Sequence, residues 1–364
     1  MIGILTFHES GNYGAVLQAY ALNKTINEHG NECEIIDYRC NAISIHHRIE
    51  NATAPKKNPA AWIRSRIASS FYRTRAALFD TFLREECKCS SRKYNVTNIM
   101  ESNHVYDSFV SGSDQIFNLK LTGGDRTYFL GFVDTDKKKI AYAASCGKYI
   151  SEIGKDAQAV EMIQSFDGVS CRESQLSELL MTQFGIPSSV VPDPSFLLTS
   201  DQWKAVSAPQ CIRSPYILVY FVSPKKDYYR FVTQLKKSTG LPVYLINYSA
   251  AIRMETGVHN LRKVSPQMFL SLFQHAEYVV TNSFHGTAFS VLFNRTFWTL
   301  RDTTRSLGNQ RIQQMLELMQ LQDRFVDYAS SPVPGEMSYE HVNEYIKAER
   351  AIGIDFLSRY GVIQ

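Results

Sequence analysis

The chain has 364 residues, enough for about two domains. Its 44% apolar, 12% aromatic and 20% charged residues are typical of a folded protein, and they exclude a disordered chain, a collagen or a coiled coil as the main architecture. Thirty-nine Lys and Arg against 35 Asp and Glu give a net charge of +4, which is too small to indicate a nucleic-acid partner.

The sequence lacks the usual signals of export and membrane insertion. No apolar run reaches the roughly 18 residues that a transmembrane helix needs. The N-terminal segment MIGILTFHES has no basic residues ahead of its short apolar stretch, so it does not resemble a signal peptide. The seven cysteines are odd in number and scattered. We therefore expect a cytoplasmic protein with free thiols and no bound metal.

Short β-rich runs alternate with helical stretches along the whole chain. In the first half, a helix is predicted at residues 15–28 and strands at residues 2–7, 33–38, 105–110, 140–144 and 169–171. In the second half, strands are predicted at residues 216–222, 243–246, 278–281 and 297–300, and helices at 226–238, 266–275, 286–293 and 338–360. This alternation predicts an α/β fold with parallel sheets and helices on both faces.

Proline-bounded polar stretches at residues 192–195 and 208–215 mark the natural place for a domain boundary. We predict an N-terminal domain at residues 1–205, a C-terminal domain at 206–337 and a C-terminal helical segment at 338–364. The sequence leaves open whether that last segment packs back on the N-terminal domain.

One segment, residues 48–93, is strongly basic. It contains eleven Lys or Arg and four acidic residues, a net charge of +7. Apolar residues recur on one helical face, which predicts an amphipathic helical insertion. Its apolar face either packs on its own domain while the basic face is solvated, or the segment meets anionic lipid headgroups. In the second case Arg64, Arg66, Arg73 and Arg75 are the residues to reverse in charge.

The strongest local signal for chemistry lies at residues 279–290 (VVTNSFHGTAFS), where a predicted strand runs through polar residues into a helix. Ligands of open α/β sheets bind outside the carboxyl ends of the strands, and a helix N-terminus favours an anion. His285 can transfer a proton near neutral pH. Candidate ligand contacts around it are Asn282, Ser283, Gly286 and Thr287. The alternative is a plain helix cap at Asn282 or Ser283 beside a structural histidine.

Two turns in the first half follow the same logic. After the first strand come His8, Asn12, Tyr13, Gly14 and Gln18, which either contact substrate or form an ordinary turn capped by Asn12. The G-x-G-x-x-G dinucleotide fingerprint is absent there. A later strand is followed by a second set of candidate contacts, namely Gly112, Ser113, Asp114 and Gln115.

Arginines follow two further strands. Arg172 can hold a carboxylate or phosphate through two parallel hydrogen bonds, or it can pair with Glu173 or another acid. After the last strand of the second half come Arg301, Arg305 and Arg311, which either add positive charge to a site or lie on the surface.

Taken together, these motifs resemble the polysaccharide pyruvyl transferase family. The matching segments are residues 6–22 (TFHESGNYGAVLQAYAL), 112–118 (GSDQIFN), 142–147 (YAASCG), 171–173 (CRE), 193–198 (DPSFLL), 281–290 (TNSFHGTAFS) and 309–312 (NQRI). Their order and spacing cover residues 1 to about 325.

The resemblance implies a fold like that of GT-B glycosyltransferases, with two Rossmann-like domains facing a cleft and the N-terminal domain on the acceptor side. It implies transfer of the enolpyruvyl unit of phosphoenolpyruvate to a sugar, usually as a cyclic ketal, without a metal or redox cofactor. The family's catalytic histidine and arginine fall on His285 and Arg172. Some relatives carry an arginine two places before the histidine, where this chain has Ser283, so a donor-site cation is either missing or supplied from elsewhere, for example by Arg301, Arg305 or Arg311.

Such a reaction belongs to the synthesis of exopolysaccharide or capsule, and the acceptor sugar can be free or linked to polyprenyl diphosphate. A lipid-linked acceptor would give the basic segment a purpose at the inner face of the cytoplasmic membrane. Two alternatives stay open at this stage. One is a GT-B-type glycosyltransferase that uses a nucleotide sugar, and the other is a non-enzymatic carbohydrate-binding or scaffold protein.

Overall fold

The structure is a computed structural model that describes residues 1–53, 59–147, 149–222, 224–246, 257–301 and 306–364. The side chains of residues 59–61, 64, 67, 68 and 306–308 also lie outside the described part. The chain divides into two units. The first comprises residues 1–198 and 348–364, and the second comprises residues 199–347.

The first unit is built on a seven-stranded parallel sheet. Its strands are β1 (Ile2–Leu5), β2 (Cys33–Tyr38), β3 (Cys89–Tyr94), β4 (Ser108–Asp114), β5 (Lys138–Ala144), β6 (Gly168–Cys171) and β7 (Ser189–Val190). Its first helices are α1 (Tyr13–Glu28), α2 (Ile45–Thr53), α3 (Pro59–Glu86), α4 (Leu119–Thr122), α5 (Ile150–Ile153), α6 (Ala157–Gln164) and α7 (Ser174–Phe184). The strand order is β3-β2-β1-β4-β5-β6-β7.

The second unit repeats the design with six parallel strands. They are β8 (Ile217–Tyr220), β9 (Val243–Ile246), β10 (Val258–Leu261), β11 (Tyr278–Thr281), β12 (Thr296–Leu300) and β13 (Phe325–Val326). Its helices are α8 (Ser200–Val206), α9 (Tyr228–Thr239), α10 (Pro266–His275), α11 (Phe284–Leu292), α12 (Ser306–Leu318) and the first part of α13 (Glu340–Arg359). The order β10-β9-β8-β11-β12-β13 has the Rossmann pattern of strands 3-2-1-4-5-6, as do the first six strands of the other sheet.

The predicted α/β fold, with parallel sheets and helices on both faces, is confirmed. Continuous apolar runs produce strands that are buried on both faces. All four residues of β8 are buried, for example, and so are all four of β1. In each sheet the strand order reverses at one place, between β1 and β4 and between β8 and β11. These switch points are where open α/β sheets bind ligands.

The boundaries between the two units in the sequence differ from those predicted from the proline-bounded stretches. The first boundary lies at 198/199 rather than 205/206, because Thr199 caps α8 and Trp203 of that helix packs on Phe289, with ring centroids 5.0 Å apart. The second lies at 347/348, inside α13. Arg350 donates to the carbonyl oxygens of Phe196 and Leu198, at 3.1 and 3.0 Å, so the later part of α13 belongs to the first unit.

The basic segment is helical only as far as Glu86, since residues 89–94 form the edge strand β3. Phe82, near the end of α3, is fully buried, whereas Trp62 and Ile63 near its beginning are 42% and 55% exposed. Arg75 does not lie on a basic surface as expected. It is buried, it donates from Nε to the Gly11 carbonyl oxygen at 2.5 Å, and it covers the ring of Tyr13.

None of the helices in the described part of the chain is both long and apolar enough to cross a lipid bilayer. The seven cysteines are free thiols, of which Cys211 is exposed and Cys89 half-buried.

Candidate functional site

In the second unit, the switch point is bridged by hydrogen bonds between the ends of β8 and β11. The Val222 amide donates to Asn282 Oδ1 at 2.9 Å, and Thr281 Oγ1 donates to the Tyr220 carbonyl oxygen at 2.7 Å. These bonds fix the turn that leads from β11 into α11. Asn282 therefore orients the turn itself, and this gives it a structural role in addition to its predicted contact with substrate.

The N-terminus of α11 is capped by Ser283, as expected if this residue has the structural role of a helix cap. Ser283 has extended backbone angles, and its hydroxyl accepts from the Gly286 amide at 3.3 Å. Gly286 allows the helix to approach the sheet, because a Cβ there would lie 2.3 Å from Thr281 Oγ1 and 3.2 Å from Tyr220 Cδ1. Close approach of neighbouring protein is thus enough to require glycine at this position.

His285 lies in the first turn of α11 and is 9% exposed. Its ring stands perpendicular to that of Phe284, with ring centroids 5.2 Å apart. The guanidinium of Arg311, on α12, lies over the same phenylalanine, 5.6 Å from the ring centre. The structure therefore brings one of the three predicted arginines to the helix turn that carries His285, beside the partial positive charge of the helix N-terminus.

Other candidates of the second unit are placed differently. The Thr287 hydroxyl is fully buried, donates to the Ser283 carbonyl oxygen at 2.9 Å and lies 2.8 Å from Thr299 Oγ1, so it stabilises the helix start. Arg301 donates from Nε to the Phe325 carbonyl oxygen at 3.1 Å and covers that ring. Arg305 lies outside the described residues.

In the first unit, Gln18 fills the switch point between β1 and β4. Its amide nitrogen donates to Thr6 Oγ1 at 2.8 Å, and its Oε1 accepts from the Ser113 amide at 3.1 Å. Gly112 next to it permits tight pairing with β5, because a Cβ there would lie 2.1 Å from the Tyr142 carbonyl oxygen. Gln18, Gly112 and Ser113 thus lie together at this switch point, and Gln18 and Ser113 are fully buried. Gly112, Ser113 and Asp114 were expected to follow a strand that ends at residue 110, but β4 continues to Asp114 and they lie within it.

The turn after β1 leads into α1 through an ordinary helix cap. Asn12 caps α1 by accepting from the Gly14 amide at 3.0 Å. Tyr13 is buried under Arg75, whose guanidinium lies 4.8 Å from the ring centre. His8 is also buried, and its Nε2 lies 3.3 Å from Asp37 Oδ1.

Asp37 belongs to a network of charges at the ends of β1 and β2. Arg39 pairs with Asp37, with Nε and Oδ1 2.7 Å apart, and also donates to Glu9. Ser44 donates to Glu9 Oε1 at 2.8 Å. Burial alone would raise the pKa of Asp37, but hydrogen bonds from His8 and Arg39 outweigh it and lower the pKa to about 2.

Arg172 lies in a buried cluster of carboxylates at the ends of β4, β6 and β7. Its Nη1 donates to Asp193 Oδ2 at 2.7 Å, and Glu173 and Asp114 approach its other nitrogens at 3.6 and 3.7 Å. Burial opposes the charge on Arg172, but the three carboxylates outweigh it and raise its pKa. Pairing with acids was one of the two interpretations open from the sequence. Gln115, near this cluster in sequence, accepts from Asn118 Nδ2 at 2.9 Å.

Sequence reasoning assigned no role to Asp37, Arg39 or Asp193. Position just after a strand is the signal that could have identified two of them, since Arg39 directly follows β2 and Asp193 comes shortly after β7. Within the described part of the chain, no group of three or more His, Cys, Asp or Glu is arranged to hold a metal ion.

Fold and site geometry define a protein of two Rossmann-ordered α/β units, with capped helix starts and charged side chains at the carboxyl edges of both sheets. The sequence model of the polysaccharide pyruvyl transferase family matches residues 12–301. The chain therefore belongs to the polysaccharide pyruvyl transferase family, which confirms the resemblance seen in its motifs and makes it a transferase.

No curated protein sequence matches the chain. Among solved structures, it is similar to S. aureus MnaA in complex with UDP, with 11% identity, a TM-score of 0.49, and coverage of 100% of this chain and 91% of that one. It is also similar to the UDP-GlcNAc 2-epimerase from Methanocaldococcus jannaschii, with 10% identity, a TM-score of 0.49, and coverage of 95% of this chain and 91% of that one. The UDP-GlcNAc 2-epimerase from Neisseria meningitidis bound to UDP-GlcNAc is similar with 11% identity, a TM-score of 0.47, and coverage of 98% of this chain and 99% of that one. Similarity at this level carries no conclusion about what this chain binds.

Proposed function

We propose that this chain transfers the enolpyruvyl group of phosphoenolpyruvate to a sugar of a polysaccharide repeat-unit precursor, forms a pyruvate ketal and releases phosphate. The observation that carries the proposal is the start of α11, where a capped helix N-terminus, His285 and the guanidinium of Arg311 come together. Family membership supports the class of reaction.

Phosphoenolpyruvate carries a carboxylate and a phosphate, so its site needs positive charge. The α11 N-terminus supplies partial positive charge. Arg311 supplies a full charge one residue from His285, through its position over Phe284. We propose that Arg311 takes the place of the arginine that some relatives carry where this chain has Ser283.

In the proposed reaction, a proton adds to the methylene carbon of phosphoenolpyruvate and leaves an oxocarbenium-like centre at C2. A sugar hydroxyl attacks C2 and loses its proton, the bond between C2 and the phosphate oxygen breaks, and phosphate leaves with the bonding electrons. Departure of phosphate leaves C2 electron-poor again, and a second hydroxyl attacks it, loses its proton and closes the ketal ring. We assign His285 to one of these proton transfers, a contribution of about 10²–10⁴ in rate.

Arg172 was predicted to stabilise the charge of the leaving phosphate, and that stays a prediction. Its geometry supports a second role, because three carboxylates already surround it. In that role it would act as a positioning residue that holds Asp114 and Asp193 at the edge of the first sheet.

Calorimetric titration of phosphoenolpyruvate, beside UDP and GDP, tests the donor site. The sharpest variant is Ser283→Asp, because aspartate caps a helix as well as serine does but places a negative charge where an anion should bind. We expect unchanged thermal stability and at least tenfold weaker phosphoenolpyruvate binding. Arg311→Ala should also weaken binding, whereas Arg230→Ala, an exposed arginine on α9, is the matched control.

Two further results would decide the assignment. His285→Gln should retain phosphoenolpyruvate binding but reduce phosphate release by about 10²-fold or more in the presence of acceptor. If wild-type protein binds UDP or GDP and not phosphoenolpyruvate, or if Ser283→Asp binds phosphoenolpyruvate as tightly as wild type, the proposed donor site is wrong.

We also propose that the acceptor is lipid-linked and that the chain meets an anionic membrane through the beginning of α3. Trp62 and Ile63 are exposed side by side, and the guanidinium of Arg66 lies 5.5 Å from the centre of the Trp62 ring. Exposed Trp and Ile next to basic residues are typical of interfacial helices, and the segment carries +7.

Co-sedimentation with phosphatidylserine and phosphatidylcholine vesicles tests this contact. We expect binding to phosphatidylserine only, and its loss in the double charge reversal Arg66→Glu/Arg73→Glu and in Trp62→Ala. Met181→Ala, an exposed apolar residue on α7, is the control and should bind like wild type. Equal sedimentation of wild type and the charge-reversed variant would exclude the contact.

A further inference from the structure

A cavity of about 900 Å³ opens at the edge of the first sheet, beyond the carboxyl ends of β2 and β3. Its walls come from residues 38–42, 95–97, 99–100, 122–127 and 131–132, with Met162. We call it the edge groove. Its volume is in the range of small-molecule sites. None of the residues proposed to hold phosphoenolpyruvate lines it.

The floor of the edge groove is fixed by hydrogen bonds. The Tyr38 hydroxyl donates to Asp125 Oδ2 at 2.6 Å and lies 2.8 Å from Thr127 Oγ1. The Thr127 amide donates to Asp125 Oδ1 at 2.9 Å, so both oxygens of this carboxylate are held. Thr122 Oγ1 donates to the Asp125 carbonyl oxygen at 2.9 Å. The groove is therefore pre-formed, and a ligand would meet donors and acceptors in set positions.

The charges that line the edge groove are paired within the protein. Arg39 is bound by Asp37 and Glu9, and Arg126 donates twice to Asp156, from Nη2 at 2.6 Å and from Nε at 3.2 Å. The third charge of the lining is the Asp125 carboxylate, which would repel an anion. This arrangement disfavours a phosphate or carboxylate ligand and favours an uncharged polar one.

The rim of the edge groove combines apolar and amide surfaces. Val96 and Met100 are 70% and 65% exposed, and Asn41 and Asn95 are exposed beside them. A pyranose ring offers the same combination, with C–H groups on its faces and hydroxyls around its edge. Hydroxyls can bond to amides and fixed carboxylates, while the C–H face covers apolar side chains that are otherwise in contact with water.

We propose that the edge groove binds uncharged sugar residues of the polysaccharide on which this family acts. The identity of that polysaccharide as the acceptor rests on the proposed function, but the binding itself does not require phosphoenolpyruvate. The groove would hold sugars next to the one that is modified and would thereby contribute to the choice of acceptor.

Saturation-transfer NMR on the full chain, without phosphoenolpyruvate, tests the proposal. The uncharged probes are lactose, maltotriose, chitotriose and mannotriose, and the charged ones are glucose 6-phosphate and glucuronic acid. We expect at least one uncharged probe to bind. Ala42→Trp should weaken its binding at least tenfold, because Ala42 is an exposed residue of the groove wall and indole would fill the space. Ala77→Trp, at an exposed alanine of α3 outside the groove, is the matched control.

A second variant removes surface instead of adding bulk. Val96→Ala/Met100→Ala deletes two exposed side chains without disturbing the core, and we expect severalfold weaker binding. Binding of none of the uncharged probes, binding of the charged probes alone, or equal binding by wild type and Ala42→Trp would each overturn the proposal. Failure of the donor site would show separately, as lost phosphoenolpyruvate binding in calorimetry, with sugar binding intact.

Discussion

At the scale of single residues, the carboxyl edges of both sheets depend on glycines, and the edge of the first sheet also depends on charged side chains held in ion pairs. Gly112 and Gly286 are required because neighbouring atoms occupy the space of a Cβ. Half-buried Asp37 and buried Arg172 are held by opposite charges. Small substitutions at these positions should therefore have effects much larger than those at comparable exposed positions.

Gly112→Ala should destabilise the first unit by more than about 3 kcal/mol. Its φ of +153° is rare for other residues, and the added Cβ would lie 2.1 Å from the Tyr142 carbonyl oxygen, so β4 and β5 would have to separate. Gly185→Ala is the control. It also has positive φ, +64°, but nothing lies within 4 Å of its Cβ, and it should cost about 1 kcal/mol. Urea unfolding measures both, and equal costs would contradict the steric argument.

Asp37→Asn should lower the free energy of unfolding by about 2 kcal/mol at pH 7, because the pKa of Asp37 falls from 3.8 to about 2 on folding. The ionised Asp37 carboxylate stabilises the fold at pH values above its pKa in the unfolded state. This stabilisation is lost as the pH falls towards its pKa in the folded state. The difference from wild type should thus shrink between pH 4 and pH 2.

Urea titrations at a series of pH values check this prediction. Asp201→Asn, at a carboxylate that is 90% exposed, is the control and should match wild type throughout. A difference between Asp37→Asn and wild type that does not change with pH would mean that Asp37 acts through packing and not through its charge.

At the scale of elements, strands with a clear apolar pattern were predicted well from the sequence, and strands without one were missed. Strands with continuous apolar runs were found within a few residues, and the limits of β2, β9 and β11 agree fully. β3 was missed because its sequence CSSRKY is polar, as suits a strand at a sheet edge, and it was included in the helical insertion. β7 and β13 have two residues each, too few for any pattern.

The candidate site shows the same division. Ser283 and His285 were predictable because cap, histidine and glycine lie within four residues of one another, directly after a strand. The pairing of Arg172 with Asp193 was not, since the two residues lie on separate loops and sequence does not show which acid an arginine will meet. The edge groove was not predictable either, because its walls come from several distant segments.

Gly286→Ala should disturb α11 as a whole. The added Cβ would collide with Thr281 Oγ1, which bonds to the Tyr220 carbonyl oxygen and accepts from the Ser283 amide. Either the helix moves or these bonds break, and we expect a loss of about 2 kcal/mol together with weaker phosphoenolpyruvate binding. In thermal unfolding Gly335→Ala, where nothing lies within 4 Å of a Cβ, should resemble wild type. If both variants melt alike, the contact with Thr281 is not decisive.

At the scale of the whole molecule, the first unit is assembled from two separate stretches of chain. Residues 348–364 belong to it although they follow the entire second unit. Gly353 of α13 sits where a Cβ would lie 2.5 Å from the Tyr142 hydroxyl, so helix and sheet are in direct contact. Arg350 adds two hydrogen bonds to the carbonyl oxygens of residues 196 and 198.

Arg350→Ala should therefore destabilise the first unit by about 2 kcal/mol, since hydrogen bonds from a charged group contribute more than neutral ones. Arg359→Ala on the same helix is the control. Arg359 pairs with Asp355 at the surface, and the change should cost less than about 1 kcal/mol. Hydrogen exchange followed by mass spectrometry should show faster exchange in β4 and β5 of Arg350→Ala. An equal acceleration in β8 and β11 would contradict an effect confined to the first unit.

The path of α13 also bears on how the protein is made. A ribosome releases the chain from its N-terminus, and domains commonly fold in that order. Here residues 199–347 form a continuous unit, whereas the unit that is begun first can be completed only after residues 348–364 have been synthesised. The second unit would then be finished before the first, and the first sheet, still without the later part of α13 that packs on it, would need protection from aggregation while translation continues.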